Sequence, residues 1–451
     1  MKNHKIYLFA TFMLIVIGCK KFLDVKPDAR LDVPATLTDF QALLDRYRVM
    51  NNSDPASGEI SADNYYLFTA DYLSLSGDNF RNIYTWQKDN LFVPQTNDWF
   101  NCYSPVFICN TILAGLANVQ VTGFNRNDYN DVKGQALYAR GRAFFMAAGL
   151  WAMAYDSKTA AAQPGIPIRL GIDFNEKSVR SSVQDSYSQI INDLSAAAAL
   201  LPVMPVSVER PSKPAAFAML ARTYLDMGDY DQAGLYADSC LQLCRTLVDY
   251  NTLDPTARYP LQKFNPEVIH ESLIATPQII TNADARIDTN LYASYAANDL
   301  RKTIFFTQGS GGSQVFRGSY EGGGNLFSGI ATDEVYLIRA ECLARTGNVA
   351  GAMEALNTLL VNRFASGTFV PRTATSGADA LMQVLAERRK ELIMRGLRWM
   401  DLKRLNLSGA GIALSRMVNG QTYTLPANDV RYALPIPDDI IQLSGMQQNP
   451  R

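Results

Sequence analysis

Histidine is almost absent, with two in 451 residues, His4 and His270. His4 falls in an N-terminal leader, so a Ser-His-Asp triad or a histidine-rich metal centre would have to rest on His270 alone. Neither G-x-S-x-G nor H-E-x-x-H accompanies it. Cysteine is scarce too, six in all with no C-x-x-C pair. Cys240 and Cys244 stand four apart in a helical stretch, where side-chain directions suit no disulfide and no His is near for zinc. Those two, with Cys102, Cys109 and Cys342, are expected to be small buried apolar residues. Lysine and arginine (42) balance aspartate and glutamate (43) without a long basic run, so the basic stripe of a nucleic-acid binder is missing. The run Gly309-Ser310-Gly311-Gly312-Ser313 lacks the Lys-Ser/Thr that completes a phosphate-binding loop and is expected to be a flexible loop. No cofactor and no metal site is implied.

What the chain does have begins at its start. Lys2 and Lys5 precede an apolar stretch, Ile6 to Ile17, which is too short to cross ~30 Å of hydrocarbon. Val16-Ile17-Gly18-Cys19 then resembles a bacterial lipobox, so residues 1–18 are expected to be a lipoprotein signal peptide and Cys19 the acylated first residue of the mature chain. Several acyl chains hold firmly, since each buried CH₂ contributes ~0.8 kcal/mol. Lys20 stands where an inner-membrane retention signal would place Asp, which implies delivery to the outer membrane.

Hydrophobic residues make up 47% of the chain, enough for a large core. Apolar periodicity marks helices over about 98–118, 128–155, 182–245 and 332–362, with a last long helix near 378–405. Strand-like material is sparse. Phe217, Ala221, Tyr224, Gly228 and Ala233 are spaced by 4, 3, 4 and 5, and Tyr336, Ala340, Leu343, Gly347 and Ala352 repeat that spacing. The pattern is tetratricopeptide-like, with small residues that let two helices approach and a Gly that ends the first. A mostly α fold follows, with tetratricopeptide-like helix pairs, long irregular loops and little β. The expected organisation is a single domain over 19–451. It comprises an N-terminal segment 19–97, a helical scaffold about 98–245 and 332–405, a loop-rich ligand-facing insert about 247–331, and a tail 406–451. Long loops on a rigid scaffold commonly carry binding.

Three local patterns, in order along the mature chain, are similar to those of the SusD/RagB family of bacterial surface lipoproteins. They are Cys19-Lys20-Lys21-Phe22-Leu23-Asp24 with Pro27; Glu387-Arg388-Arg389-Lys390-Glu391-Leu392 with Gly396, Arg398-Trp399 and Asp401-Leu402; and Leu434-Pro435-Ile436-Pro437 with Gln448-Asn449-Pro450. Arg395 departs from the pattern, where the family commonly has Glu, and the chain ends without the usual Gly and aromatic residue. The resemblance implies a SusD-like α/α superhelix at the cell outer membrane, facing the exterior. Such a protein captures oligosaccharides or peptides and delivers them to a SusC-type TonB-dependent transporter, without catalysis. Two other readings stay open, a lipid-anchored protein-interaction scaffold and a surface glycosidase.

The charged segment from Glu387 reads as helix-surface pairing, Glu387 with Lys390 and Glu391 with Arg395. Recognition is expected instead where aromatic residues crowd, eleven of them between 61 and 103. Flat rings pack on the C–H faces of sugars or on peptide side chains, and nearby amides meet hydroxyls. The ligand-binding candidates there are Tyr65, Tyr66, Tyr72, Asn82, Tyr84 and Trp86. A second patch contributes Phe316, Arg317 and Tyr320. Trp99, Phe100 and Tyr103, at the start of a helix, are expected to be core.

Overall fold

The computed structural model describes residues 34–451; the expected signal peptide and Cys19 lie outside the described residues. Helix accounts for 48% and strand for 9%, the mostly α fold that the periodicity predicts.

The principal helices are α1 (Leu37–Leu44), α2 (Asp78–Tyr84), α3 (Asp98–Leu116), α4 (Arg126–Trp151), α5 (Val183–Leu200), α6 (Lys213–Met227) and α7 (Tyr230–Leu243). They continue with α8 (Thr332–Arg345), α9 (Val349–Leu360), α10 (Gly377–Glu391) and α11 (Arg398–Leu407). From α3 to α9 each helix packs on the next, including α7 on α8 across the long interval 244–331. The internal repeat explains two of the pairs. Gly228 closes α6 with φ +74° and Gly347 follows α8 with φ +84°, a left-handed backbone that glycine adopts without steric cost. Asp229 and Asn348 then cap α7 and α9 by accepting from the backbone of Gln232 and Gly351. Ala221, Ala233, Ala340 and Ala352 have no exposed surface, as close helix approach requires.

The expected last long helix is two. Between α10 and α11 the chain turns through Met394 (φ 57°) and Gly396 (φ 72°). This break undoes one expected pair. Lys390 does bond Glu387 at 2.6 Å, but Arg395 has left the helix and donates to Asp333 at 3.2 Å, stacked between the rings of Tyr320 and Phe327. Glu391 accepts from two arginines instead, Arg301 at 2.9 Å and Arg363 at 2.7 Å. The charges are buried rather than on a wet helix face. Arg363 also grips both oxygens of Glu267, at 2.8 and 3.0 Å, and Arg301 holds Asp299 and Glu387. On α11, Asp401 is shared by Arg388 and Arg404; burial opposes its charge, but the two guanidiniums hold its carboxyl down at about 2.

The interval 244–331 is not a free loop. Val268–His270 pairs with Ile330–Ala331, and Arg286–Ile287 with Tyr65–Tyr66. Phe306–Gln308 forms a hairpin with Gln314–Phe316. The first and third ladders close the insert on itself and the second joins it to the N-terminal segment, while the ion pairs of Glu267 with Arg363 and of Arg301 with Glu387 and Glu391 hold it against the helices. Cys102, Cys109, Cys240 and Cys342 are buried as expected, whereas Cys244 is half-buried beside Thr332.

Candidate functional site

A cleft of about 750 Å³ opens between residues 48–60, the stretch from 76 to 104, and Ala275-Thr276-Pro277. That volume falls in the range of small-ligand sites. Its first wall is built by the start of α3. Asn97, in extended backbone, caps the helix by accepting from the amides of Trp99 and Phe100, and its own amide donates to Val93 at 2.7 Å. In the next residue Asp98 accepts from the backbone and hydroxyl of Ser57, at 2.7 and 2.5 Å, which locks α3 to the opposite wall. Burial raises the Asp98 carboxyl, and the Ser57 donors oppose the rise.

The rings at this wall are Phe80 on α2, Phe92, and Phe100, which is 58% exposed. Amides and hydroxyls alternate with them, among them Asn52, Asn79, Asn101, Ser53, Ser104 and Thr276, over a floor that includes Ile60, Ile83 and Leu91. Only Arg48 and Asp98 carry charge among the lining residues, and Asp98 is occupied by Ser57. Rings that can pack on apolar faces, beside neutral groups that can both donate and accept, suit a polyhydroxylated, uncharged molecule. Glycoside hydrolysis needs two facing carboxyl groups, and this lining holds one.

None of the nine ligand candidates named from sequence lines the cleft. Five of these candidates for ligand contact are core instead. Tyr65, Tyr84, Trp86, Phe316 and Tyr320 are each 8% exposed or less. Trp86 donates its indole N–H to the Ser61 carbonyl at 3.0 Å, and the Arg416 guanidinium lies 4.6 Å from its ring, so what reads as a loop aromatic fills the interior. The Tyr320 hydroxyl donates to Glu267 at 2.8 Å. Arg317 is half-buried, its N–H groups donating to the carbonyls of Pro255, Ala257 and Thr303. Tyr66, Tyr72 and Asn82 are half-buried. Tyr66 packs edge-on to Phe68, Tyr72 lies 6.2 Å from Tyr84, and Asn82 donates to the Asn90 carbonyl.

Phe100 is the opposite correction, expected in the core and found at the cleft. Trp99, Cys102, Val106 and Cys109 form the buried stripe of α3, at one-turn spacing. Phe100 and Phe107 fall on the other face, and that phase was the signal for it. His270 is accounted for without chemistry. It is buried, with Nδ1 3.2 Å from the Tyr138 hydroxyl, and burial, reinforced by Arg142, holds its pKa well below the usual histidine range.

The fold is a stack of α-helices with an open, ring- and amide-lined cleft at the start of α3. A family model described as starch-binding, associating with the outer membrane, matches residues 21–225, and a second, described as the SusD family, matches residues 332–451. Between them they cover most of the chain, and the protein belongs to the SusD family, whose members bind sugars and associate with the outer membrane. Solved structures share the fold. A SusD superfamily protein from Bacteroides thetaiotaomicron superposes with a TM-score of 0.76 at 22% identity, over 92% of this chain and 100% of its own. A SusD-like carbohydrate binding protein from Bacteroides vulgatus gives 0.67 at 20% identity, over 91% and 96%. Another, from Bacteroides fragilis, gives 0.68 at 16% identity, over 91% and 98%. No curated protein matches the chain.

Proposed function

We propose that this protein captures uncharged oligosaccharides in the cleft beside α2 and the start of α3, and passes them to a SusC-type TonB-dependent transporter without altering them. It does so from the exterior of the outer membrane, held by lipid on Cys19. The observation that carries the reading is the lining itself, with Phe80, Phe92 and Phe100 set among neutral amides and hydroxyls. The lone, bonded carboxylate of Asp98 favours binding over hydrolysis. A peptide ligand is the lesser reading, because a cleft with two charged residues offers few partners for peptide termini and side chains. Among the described residues no helix is long and apolar enough to cross a membrane, so an anchor at Cys19 would supply the attachment.

Calorimetric titration of the mature chain against neutral oligosaccharides, acidic oligosaccharides and peptides tests this. Saturable heat with a neutral glycan, weakened by Phe100→Ala, is expected. Heat confined to peptides, or a glycan response untouched by that substitution, would sink the assignment of the cleft. The transporter step is tested by deleting SusC-type barrel proteins from the producing cell, which should abolish uptake while leaving binding intact.

A further inference from the structure

Three of the most exposed apolar side chains sit on two turns. Phe124 is 103% exposed, Val206 86% and Met204 82%, with Val121 and Val203 beside them in sequence. The first turn joins α3 to α4, and the second follows α5. These turns share one end of the stack. Gly134 lies against Leu200 and Leu201, while Gly141, two helical turns further along α4, lies against Ile190 to Leu194, so α4 and α5 run antiparallel.

The chain enters at the same end. Phe40 of α1 lies against Gly115 in the last turn of α3, Gln41 bonds Gln135 at 3.1 Å, and Leu44 shares a cavity wall with Tyr138 and Ala139. α1 therefore runs inward along α4, and its first residue points back toward the two turns. Only fourteen residues lie between Cys19 and Pro34, a span of at most about 54 Å.

Resting on the lipid anchor at Cys19, we infer that this end of the stack docks on the bilayer, with Phe124, Met204 and Val206 entering the headgroup layer. Side chains so fully exposed touch almost nothing of their own chain, and Phe124 stands on a different turn from Met204 and Val206, which flank Pro205. Separate protruding tips present no flat apolar face for a rigid protein partner, whereas a fluid interface accepts them one by one. The anchor brings this end of the stack nearest the lipid, and the tips fix its orientation there.

The test uses the full mature chain, lipidated at Cys19, on vesicles of phosphatidylethanolamine and phosphatidylglycerol with or without brominated acyl chains. Phe124→Trp adds a reporter at a fully exposed position, so folding is undisturbed. The unsubstituted protein, whose Trp86, Trp99, Trp151 and Trp399 are buried, supplies the background. Brominated lipid should quench the added indole by roughly twofold or more, as expected for a ring ~5–10 Å into the interface. Flotation with the vesicles but no quenching would overturn the docking and leave the anchor standing. Failure to float, with no acyl mass on Cys19, would remove both. An unquenched indole that becomes shielded from aqueous iodide only when outer-membrane proteins are present would assign the tips to a protein partner and overturn the proposal.

Discussion

Two regions of the molecule use polar side chains in opposite ways. Around α10 the interior holds Glu267, Asp299, Arg301, Asp333, Arg363, Glu391 and Arg395, almost every charge gripped by an opposite one in a fixed geometry. In the cleft nearly all the polar groups are neutral amides and hydroxyls, and they line an open volume. Buried charge without its partner is costly, whereas an amide facing water can exchange that water for a ligand hydroxyl at little net cost. The densest charge in the sequence therefore marks a structural clamp, and the proposed recognition site lies where charge is nearly absent.

The largest expected effect breaks the clamp. Glu391→Ala leaves Arg301 and Arg363 buried without their shared partner and should lower stability by about 3–5 kcal/mol, read from urea unfolding. Almost as large is Trp86→Ala, which opens a cavity and strands the Ser61 carbonyl at a loss of about 3 kcal/mol or more. Should the folded fraction of that variant bind glycan normally, Trp86 belongs wholly to the core; lost binding at unchanged stability would reverse that placement.

One acid at the edge of the charged region is poorly served. Glu271 has a carboxylate oxygen without a hydrogen-bond partner, and its other oxygen lies 3.9 Å from Lys263. Burial, relieved only in part by Lys263, pushes its pKa up to about 7. The folded chain keeps that proton while the unfolded chain loses it near the ordinary glutamate value, so stability falls as pH rises from about 4.5 to about 7. Glu271→Gln should flatten this slope and raise stability at pH 8 on the order of 1–2 kcal/mol, allowing for nearby water. Equal unfolding midpoints for the two proteins at both pH 5 and pH 8 would refute it.

In the cleft the effects are smaller and fall on binding. Phe100→Ala should weaken a neutral oligosaccharide by about 1 kcal/mol, roughly fivefold in Kd by calorimetry, with the unfolding midpoint nearly unchanged. Smallest of all is the response to salt. A glycan held by neutral groups should change affinity less than about twofold between low and high ionic strength, whereas a steep dependence would place the ligand against charges instead.

Much of the scaffold was legible because its causes are local. The 4-3-4-5 spacing that sets Ala221 against Ala233, and the Gly228 turn between them, are readable within a twenty-residue window. The break between α10 and α11 was not, because Met394 takes a left-handed backbone that no short-range rule requires of methionine. The candidate cleft falls along the stretch of chain that the aromatic crowding singled out, but other side chains line it. Trp86 lies between Thr85 and Gln87 and reads as wet; the Ser61 carbonyl and Arg416, the latter more than three hundred residues away, hold it in the core. Arg395 looked like a departure from its family, yet it is buried against Asp333 and two rings, and those neighbours are distant in sequence.

The meeting of α7 and α8 across the interval 244–331 bears on how the chain folds. An uninterrupted helical array can grow one repeat at a time, each new pair resting on its neighbour. Here the second half of the array cannot join the first until a long closed loop has been ordered, and loop closure carries an entropic cost before any contact repays it. The array thus gives up repeat-by-repeat assembly, and its two halves should gain and lose hydrogen-exchange protection together, as one cooperative unit.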